Sequence, residues 1–156
     1  MEFTVPEYSE SQVDRAGRML VNPTGLQNPD DALEILNNWQ SSHALPLNTF
    51  TVTLRNKARQ IQEDALVAQR IKRLSSIALK LRRFPTMTLS QMQDLGGCRA
   101  IVSSVAGITK LRKLFDDARF EHELHTADDY IAAPKDTGYR SIRPIYQYQN
   151  GNKPQK

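Results

Sequence analysis

The spacing of the apolar residues changes near residue 64, and this change is the strongest constraint on the fold. Before it, apolar side chains recur at helical intervals in three segments that begin at Ser9, Pro29 and Asn48. After it, short alternating or fully apolar runs enclose two helical segments, which predicts the order strand, helix, strand, helix, strand, strand. The pattern therefore predicts an α+β fold, with a mixed β-sheet flanked by helices and a helical N-terminal extension.

Capping residues, breakers and alternation set the expected bounds of these elements. Helices are predicted over residues 9–20, 29–43, 48–61, 75–83 and 105–119, and strands over 65–71, 95–103, 120–125 and 141–148. The pair Ser75 and Ser76 is expected to cap the fourth helix. His43 is expected to pack or cap, because no metal-type partner lies one turn away, and the polar tail from Asn150 is expected to fray.

Composition excludes several classes of protein. The chain of 156 residues is 39% hydrophobic and 24% charged, which is typical of a globular protein with its own core. A single cysteine, Cys98, excludes an internal disulfide framework and favours a reducing compartment. No apolar run approaches the ~18 residues of a membrane span, and the first ten residues lack the apolar stretch of a secretory signal. We therefore expect a cytoplasmic protein with no membrane partner.

Charge is distributed unevenly along the chain, although the net charge of +4 is too small to indicate a polyanionic partner by itself. Acidic residues dominate up to residue 54. Between Arg55 and Arg83 nine lysines and arginines are then opposed only by Glu63 and Asp64. This basic run is either a solvated face of helices or an anion-binding site, and charge alone does not decide between them.

The first short constellation comprises Arg70, Lys72, Ser76 and Lys80. Alternation places Arg70 and Lys72 on one face of a strand end, and four-residue spacing places Ser76 and Lys80 on one face of the next helix. A strand that leads into a helix N-terminus offers free backbone N–H groups and a positive dipole end, which bind phosphate. The alternative is an edge strand protected by lysine, followed by a solvated helix.

The second constellation runs from Asp94 to Arg99. An aspartate just before a buried strand lies at a sheet end, where Mg²⁺ is commonly held by one or two carboxylates and substrate phosphates. Gly96 and Gly97 would let a ligand or a backbone approach closely. The alternative is a turn formed by Asp94 with Gly96, and an internally paired Arg99.

The third constellation lies in a loop with proline and glycine. Lys135, Tyr139 and Arg143 follow each other at four-residue spacing, so that a tyrosine able to stack on a base lies between two cations able to meet phosphates. The alternative is an ordinary loop with a packed tyrosine.

Taken in order, the three stretches resemble the synthetase domain of the RelA/SpoT homologue family, the (p)ppGpp synthetases or GTP pyrophosphokinases. The family patterns are R-x-K-x-x-x-S-I-x-x-K, D-[LI]-x-G-x-R and D-Y-I-x-x-P-K-x-x-G-Y-x-S. The matching residues are Arg70, Lys72, Ser76, Ile77 and Lys80; Asp94, Leu95, Gly97 and Arg99; and Asp129, Tyr130, Ile131, Pro134, Lys135, Gly138, Tyr139 and Ser141. The resemblance implies a nucleotidyltransferase-like synthetase domain over residues 64–156, preceded by a helical extension over residues 1–63.

The resemblance also implies an activity, the transfer of pyrophosphate from ATP to the ribose 3′-hydroxyl of GDP or GTP in the (p)ppGpp metabolism of the stringent response. The implied cofactor is Mg²⁺, with Asp94 as its ligand and as the catalytic residue. The other implied roles are ATP binding by Arg70, Lys72, Ser76, Lys80 and Arg99, and acceptor binding by Lys135, Tyr139 and Arg143.

Two departures from the family pattern leave the acceptor and the activity open. Arg143 stands where the family usually has histidine, and the sequence ends before the family's later Glu-x-Gln segment, so we expect an incomplete synthetase domain and leave open whether it is active alone. One alternative is a toxin-type relative that pyrophosphorylates the 3′ end of tRNA, and another is a truncated module that binds nucleotide or RNA without turnover. The expected partners are ATP with GDP or GTP, or tRNA, and a homo-oligomer is left open.

Overall fold

The computed structural model describes residues 3–24, 28–118, 121–150 and 153–154, and it has the predicted α+β class. Three N-terminal helices are followed by alternating strands and helices, and four consecutive strands end the described part of the chain. The elements are α1 Glu10–Val21, α2 Pro29–Ser42, α3 Ala44–Ile61, β1 Leu66–Ile71, α4 Leu74–Arg83, β2 Gly96–Ile101, α5 Val105–Asp116, β3 Glu123–Asp129, β4 Ile142–Gln147, β5 Gln149–Asn150 and β6 Lys153–Pro154.

The first two helices begin where the sequence predicts. The Ser9 side chain accepts from the Gln12 backbone N–H and the Gln12 side chain accepts from the Ser9 backbone N–H, which is a complete capping box. Pro29 begins α2, and the Asn28 side chain caps it. His43 ends α2, where its Nδ1 lies 2.7 Å from the Trp39 carbonyl oxygen, so the expected packing or capping role is confirmed.

Two predicted helix starts are wrong. The third helix begins at Ala44, and not at Asn48. Pro46 does not prevent this earlier start, because it falls in the first turn, where a backbone N–H has no intrahelical partner to lose. The fourth begins at Leu74, so Ser75 and Ser76 lie inside it. Its N-cap is Arg73, in extended conformation and without a side-chain cap hydrogen bond.

The described strands form three two-stranded sheets, β1 with β2, β3 with β4 and β5 with β6. The β3 and β4 strands run antiparallel, and their register shifts between Leu124 and Thr126. Pro144 lies within β4 opposite Ala127 although it has no N–H to donate.

The predicted fraying from Asn150 is wrong for the described tail, because Asn150 pairs with Lys153. Residues 151–152 and 155–156 lie outside the described residues.

The chain divides into two compact units that alternate along the sequence. Unit 1 comprises Met1–Thr53 and Ala68–Arg99, and unit 2 comprises Leu54–Val67 and Ala100–Lys156. The domain boundary after residue 63, drawn from motif content, stays a prediction. Within the part of the chain that the structure describes, no helix is both long enough and apolar enough to cross a membrane.

The core of unit 1 joins α1, α2, α4 and the segment between α4 and β2. Gly17 allows a close approach there, because a Cβ at Gly17 would lie 2.8 Å from the Cβ of Leu89. The segment that carries Asp94 is therefore anchored on the helices. The buried core residues are Val13, Ala16, Ala32, Leu36, Ile77, Leu81, Leu89, Met92 and Leu95.

Candidate functional site

A cluster of two lysines and one aspartate lies in unit 1. Lys72 Nζ is 2.9 Å from Oδ2 of Asp94, and Lys80 Nζ is 2.6 Å from Oδ1 of the same carboxylate. The exposed fractions of the three side chains are 13% for Lys72, 24% for Lys80 and 26% for Asp94. The structure therefore brings together members of the first and second sequence constellations at a position that solvent can reach.

Local structure places each of these three groups. Lys72 directly follows β1, where its backbone N–H donates to the Leu95 carbonyl at 2.7 Å and its carbonyl accepts from Gln40 Nε2 at 2.7 Å. Lys80 lies on α4 one position before the buried Leu81, and Asp94 lies one position before Leu95, which is 1% exposed. Two core residues and one strand end thus hold the backbones that carry the charges.

The lysine neighbours of Asp94 favour the ionised form of its carboxylate. Burial acts to raise the pKa of Asp94, but the hydrogen bonds and charges of Lys80 and Lys72 outweigh burial and lower the pKa to about 2. At neutral pH the cluster comprises two ammonium groups and one carboxylate, so that a net positive charge remains. Such a cluster can attract an anion with several oxygen atoms, such as a polyphosphate.

The other ATP-binding residues predicted in unit 1 are exposed and form no hydrogen bond or ion pair with this cluster. Gln69 accepts a hydrogen bond from Thr51 of α3, and Cys98 is also hydrogen-bonded to Thr51, so alternation directs Arg70 and Arg99 to the opposite face of the sheet. Ser76 lies on α4 and is exposed. Among the described residues, the side chains of Arg70, Ser76 and Arg99 have no hydrogen bond or ion pair, so Arg99 is not internally paired there.

The predicted acceptor residues lie in unit 2, where the loop between β3 and β4 gathers a cation and two aromatic rings. Lys135 Nζ lies 4.4 Å from the ring centroid of Tyr130 and 5.8 Å from that of Tyr139. The two rings meet edge to face, with their centroids 5.7 Å apart. Tyr130 is a member that the site prediction missed, and its only signal in the sequence is its place in the third motif.

Short hydrogen bonds hold the backbone of this loop. Asp129 Oδ1 accepts from the backbone N–H groups of Ile131 and Ala132, both at 2.9 Å, and these bonds lower the pKa of the Asp129 carboxyl. Gly138 donates to the Lys135 carbonyl at 2.8 Å and has a φ of 78°, a conformation that favours glycine. The predicted acceptor residue Arg143 lies outside this loop. It is exposed on β4, opposite Asp128.

A known family matches the part of the chain that carries these residues. The family described as "Region found in RelA / SpoT proteins" matches residues 69–155, which is more than half of the chain. The chain belongs to the RelA/SpoT family. The match contains Asp94 and both lysines of the cluster, as well as the loop between β3 and β4. No curated protein matches the chain significantly.

Solved structures support membership of the RelA/SpoT family. One match is the small alarmone synthetase 1 of Bacillus subtilis, whose crystal structure contains its product pppGpp. The two chains are 27% identical with a TM-score of 0.56, and the match covers 72% of this chain. This RelA/SpoT chain spans 64% of the length of that synthetase.

The donor atoms of the cluster suit Mg²⁺ only in part. Carboxylate oxygens are ligands that Mg²⁺ prefers, and Mg²⁺ is often held by one carboxylate together with substrate phosphates and water. Asp94 can serve as that one ligand. Within the described ranges, however, no three His, Cys, Asp or Glu side chains come close enough to hold a metal ion together. The remaining ligands would therefore have to come from a phosphate substrate and water.

Neither the second glycine of the Asp94 motif nor two surface grooves add to this site. A Cβ at Gly97 would meet nothing within 4 Å, so nothing in the described surroundings requires glycine there. Two open grooves of about 540 and 830 Å³ also lie in unit 1, one beside Tyr8 and Glu34 and the other beside Arg18 and Met87. Neither is lined by Lys72, Lys80 or Asp94, and we place the candidate chemistry at the charged cluster.

Proposed function

We propose that this RelA/SpoT protein is an ATP-dependent pyrophosphokinase that acts on the ribose 3′-hydroxyl of GDP or GTP. The observation that carries the proposal is the cluster of Lys72, Lys80 and Asp94, which lies inside the family match and joins two cations to a carboxylate. The likeness to a synthetase that was solved with its product pppGpp supports the same class of nucleotide.

The proposed reaction forms a bond from the 3′ oxygen to the β-phosphorus of ATP. It breaks the bond from that phosphorus to the oxygen of the α-phosphate, and it releases AMP and the hydroxyl proton.

The residues of unit 1 are assigned to the phosphate donor. Lys72 and Lys80 bind the triphosphate and offset the charge that moves in the reaction, and this kind of electrostatic stabilisation is the main contribution of protein to phosphoryl transfer. Arg70, Arg99 and Ser76 add contacts from the strands and from α4. Asp94 holds Mg²⁺, which when bound neutralises phosphate charge and orients the phosphate oxygens.

The residues of unit 2 are assigned to the acceptor. Tyr139 is 41% exposed, so its ring is available to stack on a guanine base. Lys135 lies beside it and meets the acceptor phosphates. Arg143 is assigned to the same acceptor from its place in the motif, which is a weaker argument than the contact between Lys135 and Tyr139.

The test is incubation of the chain with Mg²⁺, ATP labelled at the γ-phosphate, and either GDP or tRNA. We expect AMP release and label on GDP, and we expect Asp94→Asn to lower turnover by at least about 100-fold because a charge that acts in the transition state is lost. Asp31→Asn, which makes the same change of charge at an exposed site in the first turn of α2, should leave turnover unchanged.

The same experiment separates the alternatives. Label that appears on the 3′ end of tRNA and not on GDP would replace the alarmone reaction with the toxin-type reaction. Binding of ATP without AMP release would identify a nucleotide-binding module. Normal turnover in Asp94→Asn would show that the aspartate has only a structural role.

A further inference from the structure

Both oxygen atoms of the Asp94 carboxylate are engaged by lysine. Lys72 Nζ donates to Oδ2 at 2.9 Å, and Lys80 Nζ donates to Oδ1 at 2.6 Å. The proposed function gives these groups different partners, because it assigns the lysines to a triphosphate and the carboxylate to a divalent cation. Two ammonium groups and a dication at one carboxylate repel each other, so these arrangements exclude one another.

We propose that Asp94 and the triphosphate compete for Lys72 and Lys80, so that nucleotide binding is the event that frees the Asp94 carboxylate for a divalent cation. The inference rests on the proposed function and adds an order of binding to it. Asp94 occupies the phosphate-binding lysines until a nucleotide arrives, and the metal ion binds with the nucleotide or after it.

The local structure suits an exchange of one anion for another. Hydrogen bonds from both sides hold the backbone of Lys72, and the buried residues Leu81 and Leu95 anchor the neighbours of Lys80 and Asp94. The lysine positions are therefore kept when their partner changes. A carboxylate and a phosphate both present pairs of oxygen atoms to ammonium donors, and a metal-free triphosphate carries more negative charge than one carboxylate.

The competition makes a prediction about ATP binding in EDTA, where no metal ion is present. Asp94→Asn should raise the affinity for metal-free ATP by about threefold to tenfold, because the lysines no longer pair with a carboxylate. Asp31→Asn is the charge-matched control and should change the affinity little. Calorimetry or a fluorescent ATP analogue measures these constants, and circular dichroism checks that each variant is folded.

A double-mutant cycle separates competition from simple repulsion between Asp94 and the phosphates. In a Lys80→Met background the gain from Asp94→Asn should shrink, because one of the two lysines to be released is already absent. If Asp94→Asn raises the ATP affinity equally with and without Lys80→Met, the competition proposal is wrong and plain repulsion explains the effect. An unchanged or lower affinity of Asp94→Asn in EDTA would overturn it as well, because Asp94 would then be a bystander or a support for the lysines.

Metal binding without nucleotide gives a second measurement. Mn²⁺, followed by its paramagnetic resonance, should bind more tightly to the Lys72→Met, Lys80→Met double variant than to the unmodified protein. Equal affinities would count against the proposal. If the unmodified protein binds ATP neither in EDTA nor with Mg²⁺, the proposed function fails together with this inference, whereas ATP turnover with a failed competition test leaves the proposed function standing.

Discussion

At the scale of single residues, the loop between β3 and β4 shows how one side chain can orient another. Lys135 Nζ lies closer to the Tyr130 ring than to the Tyr139 ring, at 4.4 Å against 5.8 Å. Attraction between an ammonium group and an aromatic face amounts to about 0.5–2 kcal/mol, which is enough to favour one position of an exposed lysine. We therefore regard Tyr130 as a positioning residue for Lys135, in addition to the predicted acceptor residues.

Replacement of Tyr130 tests this role. Tyr130→Phe keeps an aromatic face, so the KM for the acceptor nucleotide should stay near its original value. Tyr130→Leu removes that face, and the KM for the acceptor should rise about threefold to tenfold while the KM for ATP changes little. Steady-state kinetics of both variants measure the difference. If Phe and Leu have the same effect, Tyr130 contributes only to the fold of the loop.

At the scale of secondary-structure elements, α1 supports the segment that carries Asp94. Gly17 of α1 faces Leu89, and Ser90 donates its backbone N–H to Asp14 Oδ1 at 2.8 Å. Leu89, Met92 and Leu95 from the same segment are buried in the core. A helix outside the family match therefore contributes to the position of a residue inside it.

Gly17→Ala should separate α1 from this segment, because the new Cβ would lie 2.8 Å from Leu89 Cβ, well inside normal contact distance. Overpacking of this kind costs about 1–3 kcal/mol, while the better helix propensity of alanine returns up to about 1 kcal/mol, so we expect a net loss of stability. Urea unfolding at pH 7 measures the change. Gly97→Ala, where an added Cβ meets nothing within 4 Å, is the matched control. A more stable Gly17→Ala variant would contradict the packing described for α1.

At the scale of the whole molecule, the charged cluster makes the free energy of unfolding depend on pH. The pKa of Asp94 is about 2 in the folded protein against an ordinary value of 3.8, so the folded state binds this proton less readily than the unfolded chain does. The stabilising contribution of the carboxylate is therefore complete above about pH 4 and is lost as the pH falls towards 2. Because the cluster is partly solvated, we expect a contribution of about 1 kcal/mol and not the larger value that the full shift would suggest.

This linkage predicts a pH-dependent difference between two proteins. The unmodified chain should be more stable than Asp94→Asn at pH 5, and the difference should decrease as the pH is lowered towards 2.5, because a protonated Asp94 resembles asparagine. Urea unfolding of both proteins over this range measures the difference, with Asp31→Asn as the control for a change of net charge. A difference that stays constant over the range would show that the ion pairs do not contribute to folding stability.

Much of the fold was predictable because the signals are local. The capping box at Ser9 and the proline at position 29 act within one helical turn, and both helices begin there. Local signals also misled, since Ser75 and Ser76 resemble caps although α4 begins at Leu74. There the end of β1 and the burial of Ile77 and Leu81 decided where the helix begins.

The residue types and spacings of the sequence by themselves determined the α+β class and the family, since periodicity and short motifs are properties of neighbouring residues. Tertiary structure alone decided the partners across long separations. Asp94 meets lysines that lie 22 and 14 positions away in the chain, and Gly17 meets Leu89 across an even longer separation. Such contacts depend on how a shared core brings elements together, and the spacing within any one segment does not specify them.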